Sequence, residues 1–128
     1  MIDFNNSGFF ARLKKVDSNS FDKMVLEFII SGEEIIGAYQ SVRDGVIFTN
    51  KRIIAINIQG VTGKKKDFTN IPYSKITAFS LESSGVFDLD SELEIYISGL
   101  GKIKFQFTGS TNVKDICKLI SENLLEQK

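Results

Sequence analysis

The sequence predicts an α+β fold in which short antiparallel strands are closed off by a C-terminal helix. Three observations predict it. Apolar residues alternate with a period of two after Gly32, a self-consistent hairpin spans Leu93 to Phe107, and the apolar stripe that begins at Val113 repeats at helical spacing. Strands this short, joined by tight turns, favour antiparallel over parallel pairing. The chain has 128 residues, the common size of one domain. Area scaling buries roughly two-thirds of an unfolded chain of this mass, enough for one core without staples.

The first thirty residues read as helix. Phe9, Phe10, Leu13 and Val16 fall near helical spacing, and residues 17–20 interrupt them. Phe21, Met24, Val25, Phe28 and Ile29 then place an apolar stripe on a second helix. Ser20 suits its N-cap, Asp22 the positive end of its dipole, and Gly32 its C′ position. Strands follow at Glu34 to Gln40 and Val46 to Phe48, linked through Arg43, Asp44 and Gly45. In Lys51 to Ile58, the residues Ile54, Ile56 and Ile58 mark the buried face, and Thr49-Asn50 suits the preceding turn. Lys64 to Thr69 reads as a polar strand at a sheet edge, where charge guards against unwanted pairing. Pro72 sets an extended bend before a strand from about Lys75 to Glu82.

The hairpin obeys the rule that directly paired residues share a face. A turn of Gly99-Leu100-Gly101 pairs Ile97 with Ile103, Ile95 with Phe105 and Leu93 with Phe107, and makes Glu94 and Lys104 diagonal neighbours. The last helix, from about Thr111 to Leu125, presents Val113, Ile116, Cys117, Ile120 and Leu124, with Thr111 or Asn112 as its cap. Ile56, Ile95, Phe105 and Ile120 are expected in one core cluster.

Lys+Arg and Asp+Glu are 16 each, so the net charge is zero, which argues against a nucleic-acid binder and an acidic tail protein. Histidine is absent, which removes Ser-His-Asp triads, Cys-His dyads and most transition-metal sites. One cysteine excludes an intrachain disulfide. The start of the chain lacks a signal-peptide pattern and no apolar run reaches the ~20 residues of a bilayer span, so a cytoplasmic protein is expected.

Four clusters invite chemistry, and each has a plainer reading. Cys117 lies on an apolar stripe and reads as a small buried hydrophobe. Asp88, Asp90, Glu92 and Glu94 alternate like hard-metal ligands but lack the glycine and distal glutamate of a calcium loop, so a solvated strand is favoured. Gly60 to Lys66 resembles a phosphate loop, yet two residues separate its glycines where four are needed, and Lys65 stands where Ser or Thr must follow the lysine. A basic turn remains, to which Arg43, Lys51 and Arg52 add charge. Tyr73 and Phe79 read as core rather than as stacking platforms, given the neutral charge. No catalytic residue, metal site or cofactor is expected.

Several motifs together resemble the bacterial pleckstrin-homology domain family. They are Arg43-Asp44, Phe48-Thr49-Asn50-Lys51-Arg52-Ile53-Ile54, Gln59-Gly60-Val61-Thr62-Gly63-Lys64-Lys65, Ile71-Pro72-Tyr73, Phe79-Ser80, Asp88-Leu89-Asp90-Ser91-Glu92-Leu93 and Ser98-Gly99. The resemblance implies a partly open, seven-stranded antiparallel barrel over residues 32–128, capped by the C-terminal helix, with residues 1–31 as a helical extension. It also implies a non-enzymatic module with a tendency to form ring-shaped homo-oligomers. The expected anion- or partner-binding residues are Arg43, Lys51, Arg52, Lys64, Lys65 and Lys66, and the expected subunit contacts are Asp44, Gln59, Asp88, Asp90 and Glu92. The partner is then a second copy or another protein. The alternative is a module peripheral to anionic membranes, or one that binds phosphorylated ligands, through the basic residues.

Overall fold

In the computed structural model, which describes residues 1–5, 9–21, 23–83, 90–109 and 113–125, eight strands form one open sheet. In chain order they are β1 (Phe9–Lys15), β2 (Ile35–Gln40), β3 (Gly45–Thr49), β4 (Arg52–Gln59), β5 (Lys65–Pro72), β6 (Ala78–Ser83), β7 (Asp90–Ile97) and β8 (Gly101–Thr108). Their spatial order is β5-β4-β3-β2-β1-β8-β7-β6. Every pairing is antiparallel except β1 with β8. The helices are α1 (Lys23–Phe28) and α2 (Lys114–Leu125), with 3-10 turns at Ser18–Ser20 and Tyr73–Lys75.

The first predicted helix is instead the strand β1, which brings the count to eight. Its spacing imitates a helix because the register slips between Phe10 and Leu13. Arg12 sits there with φ 56, a left-handed backbone, so the bulge turns both Phe10 and Leu13 inward although they are three residues apart. The second predicted helix shrinks to α1. Asp17, not Ser20, caps the 3-10 turn before it, accepting from the Asn19 N–H, and Asp22 lies outside the described residues. Gly32 has φ 78 but closes a turn in which the Glu33 N–H donates to Ile30 O, beyond the end of α1.

Two cores flank the sheet. The larger fills the barrel with Phe10, Leu13, Tyr39, Phe48, Ile53, Leu93, Ile95, Phe105 and Phe107, and it is closed by Val113, just before α2, and by Ile116 and Ile120 of α2. Ile2 and Phe4 belong to it too, and the Ile2 N–H donates to Thr69 Oγ1. The smaller lies on the outer face, where Val25 of α1 covers Ala38, Ile47, Ile54 and Ile56. Ile56 therefore does not join Ile95, Phe105 and Ile120. In β4 the barrel face carries Ile53 and Ala55, and the isoleucines at 54 and 56 meet α1. All five residues of β3 are buried for the same reason, since both of its faces are covered.

Gly45 lets this second layer approach. A Cβ there would fall 2.4 Å from Cε1 of Phe21 and 3.1 Å from the Tyr39 carbonyl oxygen. Gly45→Ala should therefore cost about 1–3 kcal/mol by overpacking. Urea titration reads this directly, and an unchanged midpoint would mean that Phe21 does not pack there.

The β7–β8 hairpin keeps its predicted faces but slides by one residue in the loop. Residues 98–100 form the turn, and Gly101 pairs with Ile97, so Ile95 faces Ile103 and Leu93 faces Phe105. Face matching permits either register, since both keep apolar residues inward. Gly99 and Gly101, with φ 85 and 126, fix the observed one. Glu94 and Lys104 are then directly opposite. The turn between β3 and β4 also moves by one residue, to Asn50-Lys51, as Phe48 pairs with Ile53. Residues 111 and 112, the expected caps of α2, lie outside the described residues.

Candidate functional site

Arg52 opens β4, and its side chain reaches back to the segment after α1. Nε and Nη2 donate to the Glu33 carboxylate at 3.0 and 2.9 Å, and Nη2 also donates to Phe28 O. The Glu33 side chain is 0% exposed. Thr49 Oγ1 donates to the same carboxylate at 2.6 Å and accepts from the Lys51 and Arg52 N–H groups. Asn50 ties both ways to residues 32–34, and Tyr73 OH donates to Thr49 O at 2.6 Å. Burial pulls the Glu33 pKa upward, but hydrogen bonds from Arg52, Thr49 and the Ile30 N–H, with the Arg52 charge, outweigh it and hold the carboxyl below its usual range. Burial, with the Glu33 charge beside it, pushes the Tyr73 phenol up. The Thr49-Asn50-Lys51-Arg52 motif is thus a buckle that holds α1 onto the sheet.

The expected basic set divides between two ends of the domain. In an antiparallel meander the β2–β3 and β4–β5 loops share one end, and the β3–β4 turn lies at the other. Lys51 and Arg52 occupy the second end. Arg43 and Lys64 to Lys66 occupy the first, where Arg43 Nη2 donates to Gly60 O at 2.6 Å. Asp44 and Gln59 are engaged within the chain: Asp44 Oδ1 accepts from the Ile58 N–H at 3.0 Å, and Gln59 Nε2 donates to Asn57 Oδ1 at 3.0 Å. These contacts explain two residues for which subunit contacts were expected.

The remaining charges mark the sheet edges. β5 is one edge, as predicted, and Lys65 and Lys66 are exposed at its start. β6 is the other edge, and its burial is low along its whole length. Glu82 of β6 lies directly across from Glu92 of β7, a like-charge pair that works against the isolated subunit. Glu92 has Lys104 at 3.6 Å as partial compensation, and Glu94 has Lys104 at 3.5 Å and Lys102 at 3.8 Å. Glu82, Asp90 and Glu92 line one shallow groove with Gln106. Asp88 lies outside the described residues. Among the described residues no metal-ligand cluster forms and no helix is long and apolar enough to cross a membrane.

A family model for the bacterial PH domain matches residues 5–124. The chain belongs to the bacterial PH domain family. This bacterial PH domain is 38% identical over 116 residues to the uncharacterized protein YjqA of Bacillus subtilis (strain 168), across 89% of this chain and 93% of that one. It superimposes with a TM-score of 0.74 and 35% identity on the crystal structure of a DUF1696 family protein with a pleckstrin-homology domain from Shewanella loihica PV-4, covering 88% of this chain and 97% of that one. It also matches a pleckstrin homology domain from Shewanella amazonensis SB2B, with a TM-score of 0.61 and 38% identity over 84% of this chain and 88% of that one.

Glu33 of this bacterial PH domain was not singled out by sequence reasoning, and Thr49 and Asn50 were read only as turn and motif residues. The signal was available once the β2–β3 register was set, because Ile35 then faces Thr49 and Glu33 falls beside the β3–β4 turn. Cys117 packs against the barrel core, and burial pushes its thiol pKa up. Thiol labelling of the native protein at neutral pH should be slow compared with the unfolded chain, and equal rates would contradict that packing.

Proposed function

We propose that this protein is a non-enzymatic scaffold that assembles head to tail, the basic β5 edge of one copy against the acidic β6–β7 edge of the next. One observation carries this reading: one edge strand, β5, begins with Lys65 and Lys66, and the other, β6, carries Glu82 with Asp90 and Glu92 on the adjoining β7. An open edge is a template for strand pairing unless it is covered or charged. Lysines on one edge and carboxylates on the other discourage pairing of like edges and favour the heterologous contact. Such a contact closes into a ring when the rotation between neighbours allows it, which is the assembly implied by the resemblance to the family. The cross-strand Glu82–Glu92 repulsion falls when lysines of a neighbour arrive. A single cysteine, packed against the core, suits a reducing cytoplasmic setting.

Size-exclusion light scattering at low and high salt tests the reading. A mass several times that of one chain at low salt, decreasing as salt screens the edge charges, is the expected result. A single-chain mass at every concentration up to about 100 μM would contradict it, since that limits the contact to weaker than about −5.5 kcal/mol.

A further inference from the structure

Residues 1–5 belong to the core without belonging to the sheet. Ile2 is 3% exposed and Phe4 7%, and both pack in the barrel cluster although no strand or helix includes them. Two distant parts of the sheet form their seat. On β5, Thr69 pairs with Ala55 and so shares its barrel face. Its Oγ1 accepts from the Ile2 N–H at 3.0 Å and donates to Asp67 Oδ1 at 2.7 Å. At the start of β8, Gly101 lies against Phe4. A Cβ on Gly101 would stand 3.1 Å from Cβ of Phe4, so a side chain there competes with the arm for one space.

None of these contacts needs arm and seat to share a chain. A second copy carries the same Ile2, Phe4, Thr69 and Gly101, so an arm that crosses over meets the environment it left. That is the condition for exchanging an element between identical subunits. The connection has length to allow it. Phe4 meets β8 at Gly101 and Phe9 pairs with Lys104, about 10 Å further along that strand. The five steps of chain from residue 4 to residue 9 reach about 17 Å when extended.

Proximity decides which arm fills which seat. The contacts are equal in both arrangements, so the outcome follows the effective concentration of each arm. For separate subunits the tethered arm prevails. In the head-to-tail assembly the neighbour is also held in place, and its arm competes on similar terms. The seat spans the parts that this assembly brings together. Gly101 pairs with Ile97 of β7, next to the β6 edge, and Thr69 lies on the β5 edge.

We propose that residues 1–5 are an exchangeable arm, and that in the assembly Ile2 and Phe4 of one copy fill the Thr69–Gly101 seat of its neighbour. The inference rests on the head-to-tail reading and adds an apolar contact that the edge charges do not supply.

Mixing two full-length variants tests it. The first loses its arm, by Ile2→Ser with Phe4→Ser, and keeps its seat. The second loses its seat, by Thr69→Val with Gly101→Ala, and keeps its arm. Hydrogen exchange read by mass spectrometry follows β8 of the first chain, which is labelled with nitrogen-15 to tell it from the second. Adding the second chain should slow that exchange by at least about ten-fold, because a buried aromatic side chain returns to the seat. Adding more of the first chain should change nothing. The milder pair, Phe4→Ala mixed with Gly101→Ala, carries the same test if a double variant fails to fold. Light scattering separates the two ways of failing. Unchanged exchange in a mixture that has the parent's assembled mass overturns the arm exchange and leaves the edge contact standing. A single-chain mass for parent and mixture alike, with unchanged exchange, overturns both.

Discussion

Phe105→Ala should remove about 3–5 kcal/mol of folding stability, among the largest effects of any single substitution in this chain. Phe105 is 0% exposed at the centre of the barrel. Its ring centroid lies 5.3 Å from that of Phe10, 6.0 Å from Phe48 and 6.5 Å from Phe107. These partners come from β1, β3 and β8, so truncation opens a cavity that no one strand can fill by shifting. Two terms add: the lost transfer energy of the ring and the unrelaxed void. The aromatic pairs contribute beyond area burial, at about 0.5–1.5 kcal/mol each. Urea unfolding with an unchanged slope is the measurement. A loss below about 1 kcal/mol would mean that the sheet does not wrap around this residue.

Arg52→Met should cost about 3–5 kcal/mol for a different reason. It leaves the Glu33 carboxylate, 0% exposed in its side chain, without the two guanidinium hydrogen bonds that hold it ionised. The penalty is mostly that of a stranded charge and not of a lost attraction, so Glu33→Gln added to Arg52→Met should recover part of it. A double variant as unstable as the sum of the singles would contradict that coupling. The pH dependence follows from the lowered carboxyl. In the folded protein Glu33 titrates below its unfolded value, so its stabilisation is fully present above the usual carboxylate range and is lost as pH falls through the folded-state pKa. The deficit of Arg52→Met relative to the parent should therefore narrow toward acid pH.

The hairpins, the charged edge strand and the closing helix were legible because period and turn chemistry act locally. The strand β1 was not. A bulge at Arg12 spaces Phe10 and Leu13 as a helix would, and β1 takes its place between β2 and β8, the latter paired in parallel some ninety residues later in the chain. Ile56 was misplaced for a related reason. Alternation in β4 says that two faces differ, not which one meets the barrel, and the cover of α1 makes the isoleucine face the outer core. Arg52 looked like available surface charge because its partner Glu33 is nineteen residues away and sits beside a chemically similar Glu34. Lys65 and Lys66 and the acidic strand were visible as segments. That they lie at opposite ends of one sheet, on the β5 edge and on β7 next to the β6 edge, is a property of the strand order, which no local pattern encodes.

Charge exchange between the two edges tests the head-to-tail assembly most directly. Lys65→Glu with Lys66→Glu makes both edges acidic, and Glu82→Lys with Glu92→Lys makes both basic. By light scattering, each of these chains should show the mass of a single subunit at concentrations where the parent is assembled. The chain that carries all four substitutions has its edges exchanged and complementary again, so it should regain the parent's mass and salt dependence. Parent-like mass in either singly reversed chain, or an assembled parent whose exchanged form stays monomeric with an intact fold, would contradict assembly through these edges.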